Sequence, residues 1–372
     1  PRVSFCCVYS FVYSRVYSMR LLFTQPAAGK LFRATSTLVR VYFARYRNGV
    51  NMASFSMGRK MIEISHLVKQ FGTLQAVNDL SFSVAPGEVL GFLGPNGAGK
   101  STTMKIVTGF LKPSAGRVSI FGCDIVQDTI AAQRQMGYLP EGAPCYEEMT
   151  PRTFLNFIAA ARGLKGAYAS ERLQQVIDTM SLQAVLDQRI ETLSKGFKRR
   201  VGLAQAIIHD PKILILDEPT DGLDPNQKHQ VREMIRGLAK DKIVIISTHI
   251  LEEVTAVCTR AIIITQGQVV ADCRPDELEQ RSKYQGALAL DFDESVTAED
   301  FLGEFASLEQ VALVESIEES NQLSLFPRHK DQSMLLDVSQ LIRDRQLPVV
   351  SINQEKGKLD EVFRAVTQEQ NP

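Results

Sequence analysis

The nine residues Gly94-Pro95-Asn96-Gly97-Ala98-Gly99-Lys100-Ser101-Thr102 follow an apolar run, Glu88–Leu93, and precede a segment that reads as helix through about Gly109. Glycines at 94, 97 and 99 let the backbone curl so that successive N–H groups point inward at one spot. A helix leaving the loop adds its positive N-terminal end to the same spot. The spacing Gly-x-x-x-x-Gly-Lys-Ser suits a triphosphate. Lys100 is expected to reach the β- and γ-phosphates, and the Ser101 hydroxyl to ligate Mg²⁺. All nine residues are therefore candidate contacts to ATP.

A triphosphate site of this kind also needs a carboxylate at the end of a neighbouring strand. Ile213-Leu214-Ile215-Leu216 reads as a buried strand, and Asp217 follows at its carboxyl end, placed to hold Mg²⁺ directly or through water. Glu218, the next residue, is a candidate general base for an attacking water. His249 follows another apolar run, Ile243–Ile246, and from the end of a third parallel strand it can reach the γ-phosphate. The short β-branched runs, with Ala261–Ile264 among them, read as buried parallel strands.

The formal net charge of zero conceals an uneven distribution. Ten of the 42 basic residues precede Glu63, the first acid, which leaves the remainder at about −10. An acidic body argues against a nucleic-acid surface as the main function. The leader, residues 1–60, is rich in Ser, Tyr, Val and Arg and lacks acids. It fits a transit peptide, a membrane-surface arm, or upstream sequence translated ahead of Met52, Met57 or Met61, and it is expected to lie outside the folded protein. The six cysteines show no Cys-x-x-Cys pair or metal-ligand spacing, as expected of reduced thiols. No stretch approaches the ~20 apolar residues of a spanning helix.

From Met61 the pattern is strand, turn, strand: Ile62–Leu67, then Leu80–Val84, with Pro86-Gly87 as a turn signal. Residues of about 128–200 are helix-dominated, with Phe154, Leu155, Phe157 and Ile158 at helical spacing. Strand–helix alternation then resumes to about Cys273. The fold class is α/β, a nucleotide-binding core over 61–283 with a helical insertion. A charged connector, Pro275–Lys283, leads to a second domain over 284–372. Its order, βαββαβ plus a final helix, suggests a small ferredoxin-like α+β module suited to interaction or dimerisation.

Together these motifs resemble the ATPase subunits of ABC transporters over about Met61–Cys273, a P-loop NTPase fold. The family's linker signature, usually Leu-Ser-Gly-Gly-Gln, is matched by Leu193-Ser194-Lys195-Gly196-Phe197. The resemblance implies that Ser194 and Gly196 face the γ-phosphate bound by a second subunit. Asp221-Gly222-Leu223-Asp224 looks like the family's D-loop, which implies that Asp224 crosses the dimer interface. His249 matches the switch histidine, and Phe71 stands where an aromatic usually stacks on adenine.

Two departures matter. Gly137-Tyr138-Leu139-Pro140 leads to Glu141 where most members carry glutamine; a carboxylate can touch Mg²⁺ or the water but donates no amide hydrogen bond. Lys195 and Phe197 replace a glycine and a glutamine. Both changes, and the tail Leu359-Asp360-Glu361-Val362-Phe363, resemble the bacterial exporter branch with separate ATPase and permease chains, to which gliding-motility and multidrug-type exporters belong. The resemblance implies an ATP-dependent homodimer, or a heterodimer with a paralogue. It also implies an integral membrane permease as partner and a peripheral place on the cytoplasmic face of the inner membrane. The alternative is a soluble ABC ATPase acting on ribosomes or DNA. A single cassette, and only about a hundred residues between Ser101 and Asp217 without heptads, count against it.

Overall fold

The structure, a computed structural model, describes residues 61–143, 145–317, 320–329 and 333–368; the leader and the expectation attached to it lie outside these. The chain divides into two units, Pro1–Asp272 and Cys273–Pro372.

The first unit opens with β1 (Ile62–Phe71) and β2 (Leu74–Val84), both longer than the apolar pattern indicates. They pair antiparallel, with Ile62 opposite Val84, and β4 (Ala115–Ile120) pairs on the other side of β1. Between them in the chain come β3 (Val89–Leu93) and α1 (Lys100–Val107). β5 (Cys123–Asp124) completes a four-stranded sheet in the order β2-β1-β4-β5. There follow α2 (Thr129–Arg134), β6 (Met136–Leu139), α3 (Pro151–Ala161), α4 (Gly166–Thr179) and α5 (Lys195–Ile207). Next are β7 (Ile213–Asp217), α6 (Pro225–Ala239), β8 (Ile243–Thr248) and α7 (Leu251–Val257). The unit ends with β9 (Arg260–Thr265) and β10 (Gln268–Cys273), the last residue of which falls across the division. The second sheet has six strands in the order β10-β9-β3-β8-β7-β6, and β9, β3, β8, β7 and β6 run parallel.

The continuous apolar runs have a physical reason. Alternate side chains of a strand point to opposite faces, and this sheet is covered on both. Ile213, Ile215, Ile243 and Ile245 enter one core, with Ile62, Leu80, Phe92 and Met104. Leu214, Leu216, Val244 and Ile246 enter the other, with Phe154, Leu155, Val176 and Met180 of the helical segment. Among the described residues of the unit, three helices start on side-chain caps. Thr150, Ser194 and Asp224 accept from the backbone N–H groups of Thr153, Phe197 and Gln227, and Pro151 and Pro225 stand at the first turn of α3 and α6.

The expected helical stretch of 128–200 needs correction at both ends. Met136–Leu139 is a strand of the parallel sheet, paired with Ile213–Leu216, and α5 continues to Ile207. Gly137 explains why a strand fits here: a Cβ on it would stand 2.1 Å from the Ala206 carbonyl oxygen, so α5 packs directly on the β6 backbone.

In the second unit, α8 (Pro275–Arg281) precedes β11 (Leu288–Phe292), α9 (Leu302–Ala306), β12 (Val311–Ile317) and β13 (Gln322–Pro327). Then come α10 (Leu335–Arg345), β14 (Val349–Gln354) and α11 (Leu359–Gln368). The antiparallel sheet order β12-β13-β11-β14 is the ferredoxin-like arrangement, over a core of Leu288, Leu290, Phe292, Phe305, Leu323, Leu325 and Val338. The division falls ahead of the connector rather than at 283/284. The residues after α8 are tied to those around α11: the Lys283 amide donates to Glu361 (3.1 Å), the Lys358 amide to the Ser282 hydroxyl (3.0 Å) and the Gly357 amide to Gln285 (2.9 Å).

No helix among the described residues is long and apolar enough to cross a membrane.

Just beyond α5, the environment of His209 predicts an acid sensitivity of the first unit. Its Nε2 lies 3.0 Å from the Met136 carbonyl oxygen, and its Nδ1 is buried without a partner. Burial, with Arg162 nearby, pushes its pKa down to about 3. In the unfolded chain the ring takes its proton near pH 6.5, whereas in the folded chain it does so only near 3. Stability is therefore lost as pH falls through that window, by about 2 kcal/mol at pH 5. His209→Gln is expected to lose less stability than the parent between pH 7 and pH 5. Parallel urea titrations at the two pH values check this.

Candidate nucleotide site

The parallel register gathers the site. Leu93 stands beside Thr248, Asp217 beside Ser247, and Leu139 beside Leu216, so Gly94, Glu218, His249 and Pro140-Glu141 all emerge at one edge, the carboxyl ends of the strands. The loop Gly94–Gly99 connects β3 to α1 there. Gly97 and Gly99 take φ of 84° and 101°, the left-handed region that the converging N–H groups require. Gly99 also lacks space: a Cβ would stand 2.3 Å from the Ala76 carbonyl oxygen on β2. The Thr103 amide and hydroxyl both donate to Gly99 O at 2.9 Å, and the Gly267 amide donates to Ala98 O at 3.0 Å. The loop is thus pinned from β2, from its own helix and from the β9–β10 turn.

Lys100 is 6% exposed. Its Nζ donates to the carbonyls of Gly94 (2.7 Å) and Pro95 (3.2 Å) and lies 3.9 Å from Glu218 Oε1. Burial lowers its pKa, and the carboxylates of Glu218, Asp217 and Glu141 act against that. Asp217 is buried, and its Oδ1 has no hydrogen-bond partner. Burial raises its pKa, Glu141 adds to the rise, and the hydroxyls of Ser247 and Ser101 oppose it. An orphaned carboxylate oxygen near the first-turn hydroxyl of Ser101 is a donor set that suits a hard, oxygen-seeking cation such as Mg²⁺. Among the described residues, no group of three or more His, Cys, Asp or Glu is placed to hold a metal. A cation here would therefore take the rest of its ligands from phosphate oxygens and water.

Glu218 is buried in a left-handed backbone conformation, φ 51°, rare for a residue with a side chain. Its amide donates to Ser247 O (2.9 Å), and its Oε2 is 2.7 Å from His249 Nδ1. Burial raises its pKa, with His249 and Lys100 pulling it back. A carboxylate made more basic yet kept beside two nitrogen partners can accept a proton from water.

The expected residues fall into two groups. Gly94–Thr102, Glu141, Asp217, Glu218 and His249 meet at one sheet edge. Phe71 stands apart from both, on the neighbouring hairpin at the end of β1, 46% exposed and outside the core, with Lys69 Nζ 4.9 Å from its ring. Ser194, Gly196 and Asp224 form the second group, at the starts of α5 and α6. A Gly196 Cβ would stand 2.8 Å from the Gln227 side chain, and Ser194 and Asp224 are exposed caps. Their side-chain bonds run within these two helices rather than to the phosphate loop. Sequence reasoning missed the supports Thr103 and Gly267. The Gln266-Gly267 turn between two apolar strands was the readable signal for the latter.

A family model described as ABC transporter matches residues 77–221, which spans the loop, Asp217, Glu218 and the segment Leu193–Phe197. The Nod factor export ATP-binding protein I of Rhizobium etli is 34% identical over 232 residues, 62% of this chain and 73% of that protein. The chain belongs to the ABC transporter family. It is an ATP-binding subunit of the ABC-type ATPase class. The ABC transporter A family member 1 of Dictyostelium discoideum is 36% identical over 57% of this chain, which spans only 24% of that larger protein. Among solved structures, an ATP-binding subunit of an ABC transporter superposes with a TM-score of 0.55 at 32% identity, covering 59% of this chain and 92% of its own.

For this ABC subunit, Gly99→Ala is expected to spread the loop from Ala76, because neither backbone can give way cheaply. ATP affinity should fall at least about 10-fold while the fold persists, since the site and not the core is struck. Fluorescent-nucleotide titration beside a circular-dichroism melt checks both halves.

Proposed function

We propose that the chain hydrolyses ATP and, as a pair of copies or with a paralogue, drives a separate integral membrane permease of the exporter type from the cytoplasmic face of the inner membrane. The observation that carries the hydrolytic step is Glu218. It is buried, bonded to His249 at 2.7 Å, and 3.9 Å from the lysine of the phosphate loop. In this reading the loop amides and Lys100 hold the β- and γ-phosphates, and Phe71 stacks on adenine. Ser101, Asp217 and Glu141 are the residues that would hold Mg²⁺, which when bound offsets charge on the phosphate oxygens. Glu218 takes a proton from water as its oxygen bonds the γ-phosphorus and the bond to the ADP oxygen breaks. His249 keeps Glu218 oriented and faces the γ-phosphate.

The exposed caps Ser194 and Asp224, with Gly196, suit a surface that meets a second copy. In the family resemblance, the serine and glycine of that segment face nucleotide bound across the interface. Support for an export role comes from the tail Leu359–Phe363, the Lys195 and Glu141 departures, and the relative whose name includes Nod factor export.

Glu218→Gln should lower kcat by at least about 100-fold while ATP affinity stays within about 3-fold of the parent. Lys100→Ala should instead abolish tight ATP binding. Steady-state hydrolysis with nucleotide titration of both variants checks this. Parental turnover in Glu218→Gln would remove Glu218 as the base.

A further inference from the structure

Arg199 is a buried charge to which neither the phosphate loop nor the caps assign a task. It lies on α5, five residues from the cap Ser194, and is 6% exposed. Its Nη2 donates to the Asp221 carbonyl oxygen at 3.1 Å, and its Nη1 is buried without a partner. The carboxylates of Asp221, Glu141, Glu218 and Glu253 favour its charged form against burial. A guanidinium kept dry at this cost is held by what it bonds, and here that is one backbone carbonyl.

That carbonyl belongs to the turn Thr220–Asp224, which begins two residues after the strained Glu218 and ends at the cap of α6. Ahead of the cap, the backbone bonds within the turn are long: the Asp221 amide to Glu218 O and the Leu223 amide to Thr220 O, both 3.3 Å. Helix α5 also lies close to the turn at Gly222, where a Cβ would stand 3.7 Å from Lys195 Nζ. A third point follows one turn on, where Gly196 leaves no room beside Gln227 of α6. The start of α5, the turn and the start of α6 are thus fastened together within one chain, and the turn is continuous with Glu218.

We propose that Arg199 is a positioning residue for hydrolysis: by holding the Asp221 carbonyl it fixes the turn that follows Glu218, so that a displacement of Ser194 and its helix is felt at the carboxylate. The proposal rests on Glu218 acting as the base. It adds a mechanical link between the two groups of site residues, inside a single copy.

The test compares Arg199→Met and Arg199→Lys in the full chain by two readouts, ATP turnover and amide hydrogen exchange. Arg199→Met is expected to lower kcat about 10-fold or more with KM for ATP within about 2-fold. Exchange in the 219–223 segment should rise about 10-fold, with the 94–102 segment unchanged. Arg199→Lys should recover much of kcat, because an ammonium can still donate to the carbonyl. Parental exchange in 219–223 for Arg199→Met overturns the proposal whatever the turnover shows. So does a loss of kcat that tracks a lower melting temperature and is equal in Arg199→Lys, which marks mere packing. The exchange arm does not depend on Glu218, so a failure of the base assignment, read from Glu218→Gln, is distinguishable from a failure of this link.

Discussion

Across the parallel ladder Leu93 stands beside Thr248 and Asp217 beside Ser247, and the chemistry of the first unit depends on that register. A slip of one residue would turn Ile213 and Ile215 out of one core and Leu214 and Leu216 out of the other. It would also carry Glu218 away from His249 and Lys100. Because both faces of the sheet are buried, the same apolar side chains that stabilise the fold also locate the carboxylates. The loop Gly94–Gly99 is then seated by contact, against Ala76 on one side and the Gly267 turn on the other.

The ionisable groups at this edge are held at a cost. Lys100, Asp217, Glu218, Glu253 and Arg199 are all buried, and burial pushes each pKa toward the neutral form. Their mutual attraction opposes that push. Such a set is poised rather than stable: it favours bound phosphate charge, a cation and a transferable proton. The left-handed Glu218 fits the same pattern, since strain at a reacting residue persists only where its surroundings hold it.

Much of this was legible in the sequence because the determinants are local. Gly94–Thr102, Asp217-Glu218 and His249 each sit at the end of an apolar run, and strand ends in a parallel sheet converge. The ferredoxin-like order of the second unit was readable for the same reason, from β-branched runs alternating with helical spacing. What escaped was non-local. Met136–Leu139 is four residues long and surrounded by helices, and only its pairing with Ile213–Leu216 makes it a strand. Ala115–Ile120 begins with an exposed, glycine-bearing segment that masks the alternation of Val118 and Ile120. The end of the first unit was misplaced because α8 looks like a connector until the bonds of Ser282, Lys283 and Gln285 to the residues around α11 are seen. Nothing in the run Lys198-Arg199-Arg200 marks which of the three is buried, and only the packing of α5 singles out Arg199.

In the proposed reading, the two groups of site residues, one at the sheet edge and one at the starts of α5 and α6, meet one nucleotide across a pair of copies. Sedimentation of the Glu218→Gln chain with and without Mg²⁺ and ATP tests that most directly, since hydrolysis cannot then dissolve the complex. The account predicts a doubling of mass with ATP and not with ADP, lost again in Ser194→Arg. A mass that stays single at saturating ATP, in a chain that demonstrably binds it, would contradict the account.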